Sequence, residues 1–264
     1  MSSPPVLAAK PHQKFTGYKM GSSSLKLAIL DIDGTLTDTN DVDSECFLHA
    51  LADCFGLTRI ETDWSSYDHP TDAGILEEIF QTHFHRSPSA SEVVTMQDRF
   101  IGHLQRIADR DNSAFSAMRG AEGFLTHLRE AGWAYIVATG CWSRSANLKI
   151  RAANLAIQCP VISCDNAISR AEILKQAIDA AMHFYGVEGF ARIVGVGDNV
   201  WDVESAKSLG LPFVGIGEGS RADRLRSFGA SHVLPDFTNL DAVMRALNDA
   251  QAPGERHAFG EGES

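Results

Sequence analysis

The sequence predicts a doubly wound α/β protein, in which a parallel sheet forms the core and one all-helical segment is inserted. Three observations support this prediction. Short apolar runs rich in Val and Ile recur along the chain, and stretches of helical length separate most of them. Several helical patterns end at a glycine, which is the usual residue just after the last helical turn. One region of about 80 residues, roughly the size of a small domain, contains helical patterns only.

The six apolar runs are predicted to be buried parallel strands, because they are short and apolar on both faces. They cover residues 25–30, 133–138, 160–163, 192–197, 212–217 and 232–234. Helical patterns lie between most of them: one covers residues 120–131, and two others end at Gly186 and Gly210. This alternation is typical of a sheet with helices on both faces.

The helical segment covers residues 39–118, between the first and second predicted strands. Apolar stripes at helical spacing occur in residues 46–54 and 75–80. Ser89 and Glu92 form the pattern of a capping box at the start of a third helix. We therefore predict an α/β core made of two pieces, 25–38 and 119–249, that enclose this insert. The termini, 1–24 and 250–264, are predicted to be disordered tails.

Composition limits the classes of partner. Lys and Arg total 23 and Asp and Glu total 34, so the formal net charge is -11, which disfavours nucleic acid and anionic membranes as partners. No apolar run is long enough to span a bilayer, and the N-terminal stretch lacks the apolar region of a secretory signal. The five cysteines are irregularly spaced and match neither a zinc site nor a disulfide framework. We expect reduced thiols and a cytoplasmic location.

Polar residues follow three of the predicted strands. Ligands of open α/β sheets bind beyond the carboxyl ends of the strands, so these residues are expected to converge at one edge. Carboxylates so close together raise one another's pKa unless a cation lies among them, and oxygen ligands without His or Cys favour Mg²⁺. The residues are Asp31 and Asp33 after the first strand, Thr139 and Gly140 after the second, and Asp198 with Asp202 after the fourth.

The segments DIDGTLTD, VATG and GVGDNVWD, in this order and each at a strand end, resemble the motifs of the haloacid-dehalogenase (HAD) superfamily. The resemblance is to its phosphatase branch, which includes phosphoglycolate phosphatase-like enzymes, and it covers about residues 25–247. It implies a Rossmann-like core in which 39–118 is a helical cap domain. It also implies a Mg²⁺-dependent enzyme that hydrolyses a small phosphomonoester through an aspartyl-phosphate intermediate.

The resemblance assigns a role to each motif residue. Asp31 is the implied nucleophile, and Asp33 is the implied acid and base that serves the leaving group and then water. Dehalogenase members lack an acid at the second position, so Asp33 points to phosphate esters. Asp31, Asp198 and the backbone carbonyl of Asp33 are the implied metal ligands. Thr139 and Gly140 are expected to hold phosphoryl oxygens.

Two acidic residues receive lesser roles. Asp202 is expected to position a ligand or the metal's waters. Asp38, the third aspartate of the first motif, is interpreted as a hinge or turn residue at the entrance to the insert.

The phosphate-binding cation is where the sequence departs from the superfamily pattern, because no Lys-Pro pair follows the third strand. Ser169 and Glu172 have capping-box spacing, which makes Arg170 the first helical residue and the candidate cation. Lys149 is the rival, but it lies about six residues into its helix, a distance that strains its reach. Lys175 lies further into its helix and is a weaker candidate. We therefore expect Arg170→Ala to be far more damaging than Lys149→Ala.

Two other functions remain open at this stage. The first is a phosphomutase of the same superfamily, which uses the same nucleophile and acid. The second, less favoured because all motif aspartates are present, is a non-catalytic phosphate-binding module. A covering cap favours a small phosphorylated metabolite as substrate. Phosphoglycolate-type compounds, sugar phosphates and nucleotides all fit, and the sequence leaves the oligomeric state open.

Overall fold

The computed structural model describes residues 24–165 and 167–254 of the chain. Within these ranges one parallel sheet has the strand order β3-β2-β1-β4-β5-β6, which confirms the predicted fold class. Each strand lies inside or matches a predicted run. The strands are β1 (Lys26–Leu30), β2 (Trp133–Ala138), β3 (Val161–Ile162), β4 (Arg192–Gly197), β5 (Phe213–Ile216) and β6 (His232–Leu234).

Three α-helices and two short 3-10 turns lie in residues 39–118, where only helices were predicted. They are α1 (Asn40–Phe55), the turn Trp64–Ser66, α2 (Asp72–Phe84), α3 (Ala90–Arg110) and the turn Asn112–Phe115. We call residues 39–118 the insert. Its apolar residues, among them Phe47 and Phe100, join those on one face of the sheet, such as Ile29 and Ile136, in one continuous buried cluster.

Six further α-helices are described after the insert. They are α4 (Ala121–Glu130), α5 (Ser143–Ala152), α6 (Arg170–Tyr185), α7 (Val200–Ser208), α8 (Gly219–Ser227) and α9 (Leu240–Asp249). The sequence analysis did not identify α8 or α9. Helix α8 buries only Ala222 and Leu225, which is too few apolar positions to produce a clear helical stripe.

Two helices begin where the sequence has the spacing of a capping box. The Ser89–Glu92 capping box is confirmed at α3. The Ser169–Glu172 capping box is wrong, because the Ser169 side chain makes no capping hydrogen bond, although Arg170 does begin α6 as predicted. Helix α6 therefore begins at the predicted residue without a side-chain cap from Ser169.

The chain termini are only partly described. Residues 1–23 and 255–264, which contain most of the predicted tails, lie outside the described residues. Residues 250–254 have no regular secondary structure, but Ala250 is buried and the Gln251 carbonyl accepts the Phe213 N–H at 3.1 Å. All five cysteines are free thiols. None of the helices in the described part of the chain is both long enough and apolar enough to cross a bilayer.

The second face of the sheet is covered by α4 and the segment around Phe237. Phe124 and Phe237 are fully buried and stack with ring centroids 4.5 Å apart.

We expect Phe124→Ala to lower the free energy of unfolding by about 3–5 kcal/mol, because the surrounding side chains can fill only part of the cavity that the lost ring leaves. Urea unfolding measures this, with Phe184→Ala as control: Phe184 is 40% exposed, so its loss should cost below about 1 kcal/mol. Equal destabilisation of the two variants would contradict the packing argument.

The order of the strands in the sheet brings the candidate site residues after β1 and β4 close together. Connections leave β1 on one side toward β2 and return on its other side at β4, so the direction of the sheet order reverses between these two strands. Open α/β sheets bind ligands at this reversal point. Leu30 at the end of β1 pairs with Val196 of β4, and the Asp31 N–H donates to the Val196 carbonyl at 3.0 Å. Asp31 and Asp198 therefore leave adjacent strands side by side.

Candidate active site

Three carboxylates, which follow β1, follow β4 and lie in the first turn of α7, form a buried cluster. Oxygen atoms of Asp31, Asp198 and Asp202 all lie within 4.8 Å of one another, and each residue is less than 10% exposed. Burial, together with the neighbouring carboxylates, raises the pKa of Asp31 well above its usual value, and burial and Asp202 raise the pKa of Asp198 to about 7. A cation among these oxygens would relieve the repulsion, and an all-oxygen donor set fits a hard divalent ion such as Mg²⁺.

The turn after β1 is shaped to admit the Asp198 carboxylate. Gly34 has φ +72°, a left-handed conformation that favours glycine, and its N–H donates to the Thr37 carbonyl at 2.7 Å. A Cβ at this position would overlap both the Asp198 carboxylate and the Asn40 amide. The Asn40 amide also donates to Asp198 at 2.8 Å. Glycine is therefore required by conformation and by space.

Arg170 is the cation beside the proposed nucleophile. Its Nη1 lies 3.3 Å from Asp31 Oδ1 and 2.6 Å from Asp202 Oδ1, and its Nε donates to the Pro70 carbonyl of the insert at 3.2 Å. Burial alone would lower the pKa of Arg170, but Asp202 and Asp31 raise it above its usual value. The guanidinium packs directly over Gly140, where a Cβ would come within 2.7 Å of Nη2.

Lys149 also reaches the site, although the sequence argument held its reach to be strained. Its side chain is fully buried, and Nζ donates to Asp33 Oδ2 at 2.6 Å and to Asp43 Oδ1 at 2.5 Å. The Cys141 thiol donates to the same Asp33 oxygen at 2.9 Å, and the Thr39 hydroxyl donates to Oδ1 at 2.5 Å. Burial would raise the pKa of Asp33, but Lys149 and the hydrogen bonds hold it below its usual value.

The second motif lies at the same edge of the sheet. The Thr139 N–H donates to the Ile162 carbonyl at 2.9 Å, and its hydroxyl accepts the Cys141 N–H at 3.2 Å. Thr139 lines a narrow space of about 30 Å³ with Asp31 and Arg170. Gly140 lines a larger cavity, described next. The structure thus brings both residues next to the carboxylates.

A cavity of about 270 Å³ opens above the carboxylates, between the core and the insert. Its core wall includes Asp31, Asp198 and Arg170, and its insert wall includes the Phe47 and Trp64 rings. Asp202 is not part of this lining and lies behind Arg170, while Asp38 is exposed at the start of the insert.

Some residues of this site were missed from the sequence. Arg221 of α8 lies 3.2 Å from Asp198, and Arg224, one turn later, donates to the Ser65 hydroxyl of the insert at 2.6 Å. Both line the cavity. The pair has i, i+3 spacing, which places both side chains on one helix face, but only a prediction of α8 itself could have used that signal.

The fold and the site together define a class: an α/β enzyme with a buried aspartate cluster at the reversal point of a parallel sheet. The family model for haloacid dehalogenase-like hydrolases matches residues 28–216. The chain belongs to this family of hydrolases. No curated protein sequence matches it.

Solved structures of low sequence identity share the fold. A hydrolase from Pseudomonas syringae is 18% identical, with 84% of this chain and 99% of that chain covered and a TM-score of 0.62. CbbY from Rhodobacter sphaeroides is 19% identical, with 85% and 99% covered and a TM-score of 0.59. A candidate β-phosphoglucomutase from Bacteroides vulgatus is 16% identical, with 85% and 91% covered and a TM-score of 0.63.

Proposed function

We propose that this protein is a Mg²⁺-dependent phosphatase that hydrolyses a small phosphomonoester through an aspartyl-phosphate on Asp31. The observation that carries the proposal is the position of Asp31, which lies within 4.8 Å of Asp198 and Asp202 and beside Arg170 at the floor of the cavity between the core and the insert. A dianionic phosphate entering such an acidic site needs both the fixed arginine and a bound cation.

The proposed reaction has two steps. In the first, an oxygen of Asp31 bonds to phosphorus while the bond to the ester oxygen breaks, and Asp33 supplies the proton to that oxygen. In the second, water attacks phosphorus, Asp33 takes its proton, and the bond between phosphorus and the Asp31 oxygen breaks to release inorganic phosphate. Mg²⁺, held by Asp31, Asp198 and the Asp33 carbonyl, would neutralise charge between carboxylate and phosphate.

Other residues at the edge of the sheet would hold the phosphoryl group. Arg170 offers two neighbouring N–H groups that suit a pair of phosphoryl oxygens, and the backbone at Thr139 and Gly140 precedes the start of α5. We propose that Asp202 orients Arg170, since their 2.6 Å contact is the closest that Arg170 makes to a carboxylate.

The cavity supports a small substrate. Its volume of about 270 Å³ suits a metabolite rather than a phosphoprotein, with the insert acting as a cap domain that excludes water. CbbY has been solved with phosphate and with xylulose-(1,5)bisphosphate, which agrees with a phosphorylated metabolite. The free cysteines support a reducing, cytoplasmic location.

A panel of phosphomonoesters tests the proposal. Purified protein with Mg²⁺ should release inorganic phosphate from at least one small ester in the panel of sugar phosphates, nucleotides and phosphoglycolate. The neighbour from Bacteroides vulgatus makes a phosphomutase the second candidate. Phosphorus NMR of the products separates the two, because a mutase returns an isomeric ester without net release of phosphate. No turnover of any ester would refute both.

Arg170→Ala is expected to lower kcat/KM by one to three orders of magnitude, or about 1.4–4 kcal/mol of transition-state stabilisation. Arg170→Lys should recover only part of the loss, because an ammonium cannot bind two oxygens in the same plane. Steady-state kinetics measures both variants. Arg226→Ala is the matched control, since Arg226 is exposed and forms its ion pair with the exposed Asp223 of its own helix, 3.2 Å away. Near wild-type kinetics for Arg170→Ala would show that Arg170 does not bind the phosphoryl group.

A further inference from the structure

A fully buried lysine beside the proposed acid/base has no part in the reaction as described so far. Lys149 lies on α5, and its Nζ is within hydrogen-bonding distance of three side chains: Asp33 (2.6 Å), Asp43 (2.5 Å) and Cys141 (3.0 Å). Burying an ammonium costs several kcal/mol unless it is well paired. The hydrogen bonds to these partners therefore offset the cost of burying the Lys149 ammonium. One of the partners, Asp33, is a proposed catalytic residue.

The partners of Lys149 form a compact set. Atoms of Asp33, Asp43 and Cys141 lie within 4.8 Å of one another, a spacing that would also suit a metal ion. The Lys149 ammonium already donates to all three atoms, so this group is satisfied by a cation of the chain itself. The neighbouring cluster of Asp31, Asp198 and Asp202 receives no hydrogen bond from Lys149 among the described contacts.

The two buried cations thus serve different carboxylates. Arg170 contacts Asp31 and Asp202, whereas Lys149 contacts Asp33 and Asp43. Asp43 belongs to α1 of the insert, so Lys149 joins a core residue and an insert residue through one ammonium. The Thr39 hydroxyl donates to the other oxygen of Asp33, so both oxygens of this carboxylate accept hydrogen bonds.

We propose that Lys149 is a positioning residue for Asp33: it fixes the carboxylate that exchanges protons with the leaving group and with water. The inference rests on the proposed phosphatase function. It replaces the sequence-based expectation that Lys149 matters little. A lysine that positions Asp33 speeds the first step only when the leaving group needs a proton from Asp33. The effect of losing Lys149 on that step should therefore depend on the leaving group.

The leaving group provides the test. Esters of alcohols need a proton on the departing oxygen, whereas 4-nitrophenyl phosphate releases a stable anion without one. We expect Lys149→Met to lower kcat/KM, which reports the first step and its leaving group, about 100-fold for the best alkyl phosphate of the panel and less than 10-fold for 4-nitrophenyl phosphate. Asp33→Asn should show the same pattern more strongly, and Lys149→Arg should restore part of the alkyl rate.

Several outcomes separate positioning from mere structural support. The ratio of the kcat/KM values for the alkyl phosphate and for 4-nitrophenyl phosphate does not depend on the folded fraction of a variant. An equal fall with both substrates, or no fall, would therefore overturn the proposal. Lys175→Met is the control, because Lys175 is exposed and forms its ion pair with the exposed Glu172. If Lys149→Met does not fold, Lys149→Met with Asp43→Asn removes one buried charge of each sign and is judged by the same ratio. A wild-type protein that hydrolyses neither ester refutes the proposed function, and this inference with it.

Discussion

Asp31→Asn is expected to abolish phosphatase activity, with a fall in kcat of at least about 10³-fold, while the protein stays folded. An amide of nearly the same shape cannot form the acyl-phosphate. The structure also predicts the effect on stability. Burial and the nearby carboxylates raise the pKa of Asp31, so its charged form destabilises the metal-free protein at neutral pH, and a neutral amide should leave the melting temperature equal or higher.

Kinetics and thermal unfolding together check this prediction. Asp38→Asn is the matched control, because it makes the same chemical change seven residues further on, at an exposed position. It should keep wild-type activity. If Asp31→Asn retained more than a few per cent of wild-type kcat in a preparation free of contaminating phosphatase, the covalent mechanism would be wrong. A parallel loss of activity and of melting temperature would instead indicate a structural role.

The strands and the aspartate cluster could be predicted because their signals are local. Buried parallel strands produce runs that are apolar on both faces, and every strand was found from that signal. The carboxylates follow these strands directly, so the topology alone brings Asp31 and Asp198 to one edge. The crowding at Gly34 could not be predicted, since it depends on where the Asp198 side chain lies.

The basic residues of the site could be predicted only in part from the sequence, and the reason differs from one residue to the next. Arg170 begins its helix, so its place at the edge of the sheet follows from the helix boundary. Lys149 lies inside α5, and the distance along the helix axis said nothing about which carboxylate its long side chain would meet. Its second partner, Asp43, comes from the insert, and no local pattern reports how the insert packs on the core. Arg221 and Arg224 belong to a helix with too few apolar residues to be recognised.

Removal of divalent cations is expected to abolish activity, and addition of Mg²⁺ to restore it. The reason is the arrangement of Asp31 and Asp198, two buried carboxylates that repel each other and would repel a phosphate dianion. Ca²⁺ should inhibit, because it accepts more ligands at longer and looser distances than Mg²⁺ and so misplaces the attacking carboxylate. Phosphate release after EDTA treatment and readdition of each ion measures the effect.

A readout other than activity locates the ion. Mg²⁺ should raise the melting temperature of the wild-type protein, since ligands that bind only the folded state stabilise it. The shift should be lost in Asp198→Asn and kept in Asp236→Asn, the control, which changes a buried aspartate that pairs with Arg119 far along the chain from the cluster. An enzyme fully active in chelator would refute the metal assignment. A Mg²⁺-induced shift that persists in Asp198→Asn would assign the ion to other ligands, because that variant has lost one of the two carboxylates of the proposed site.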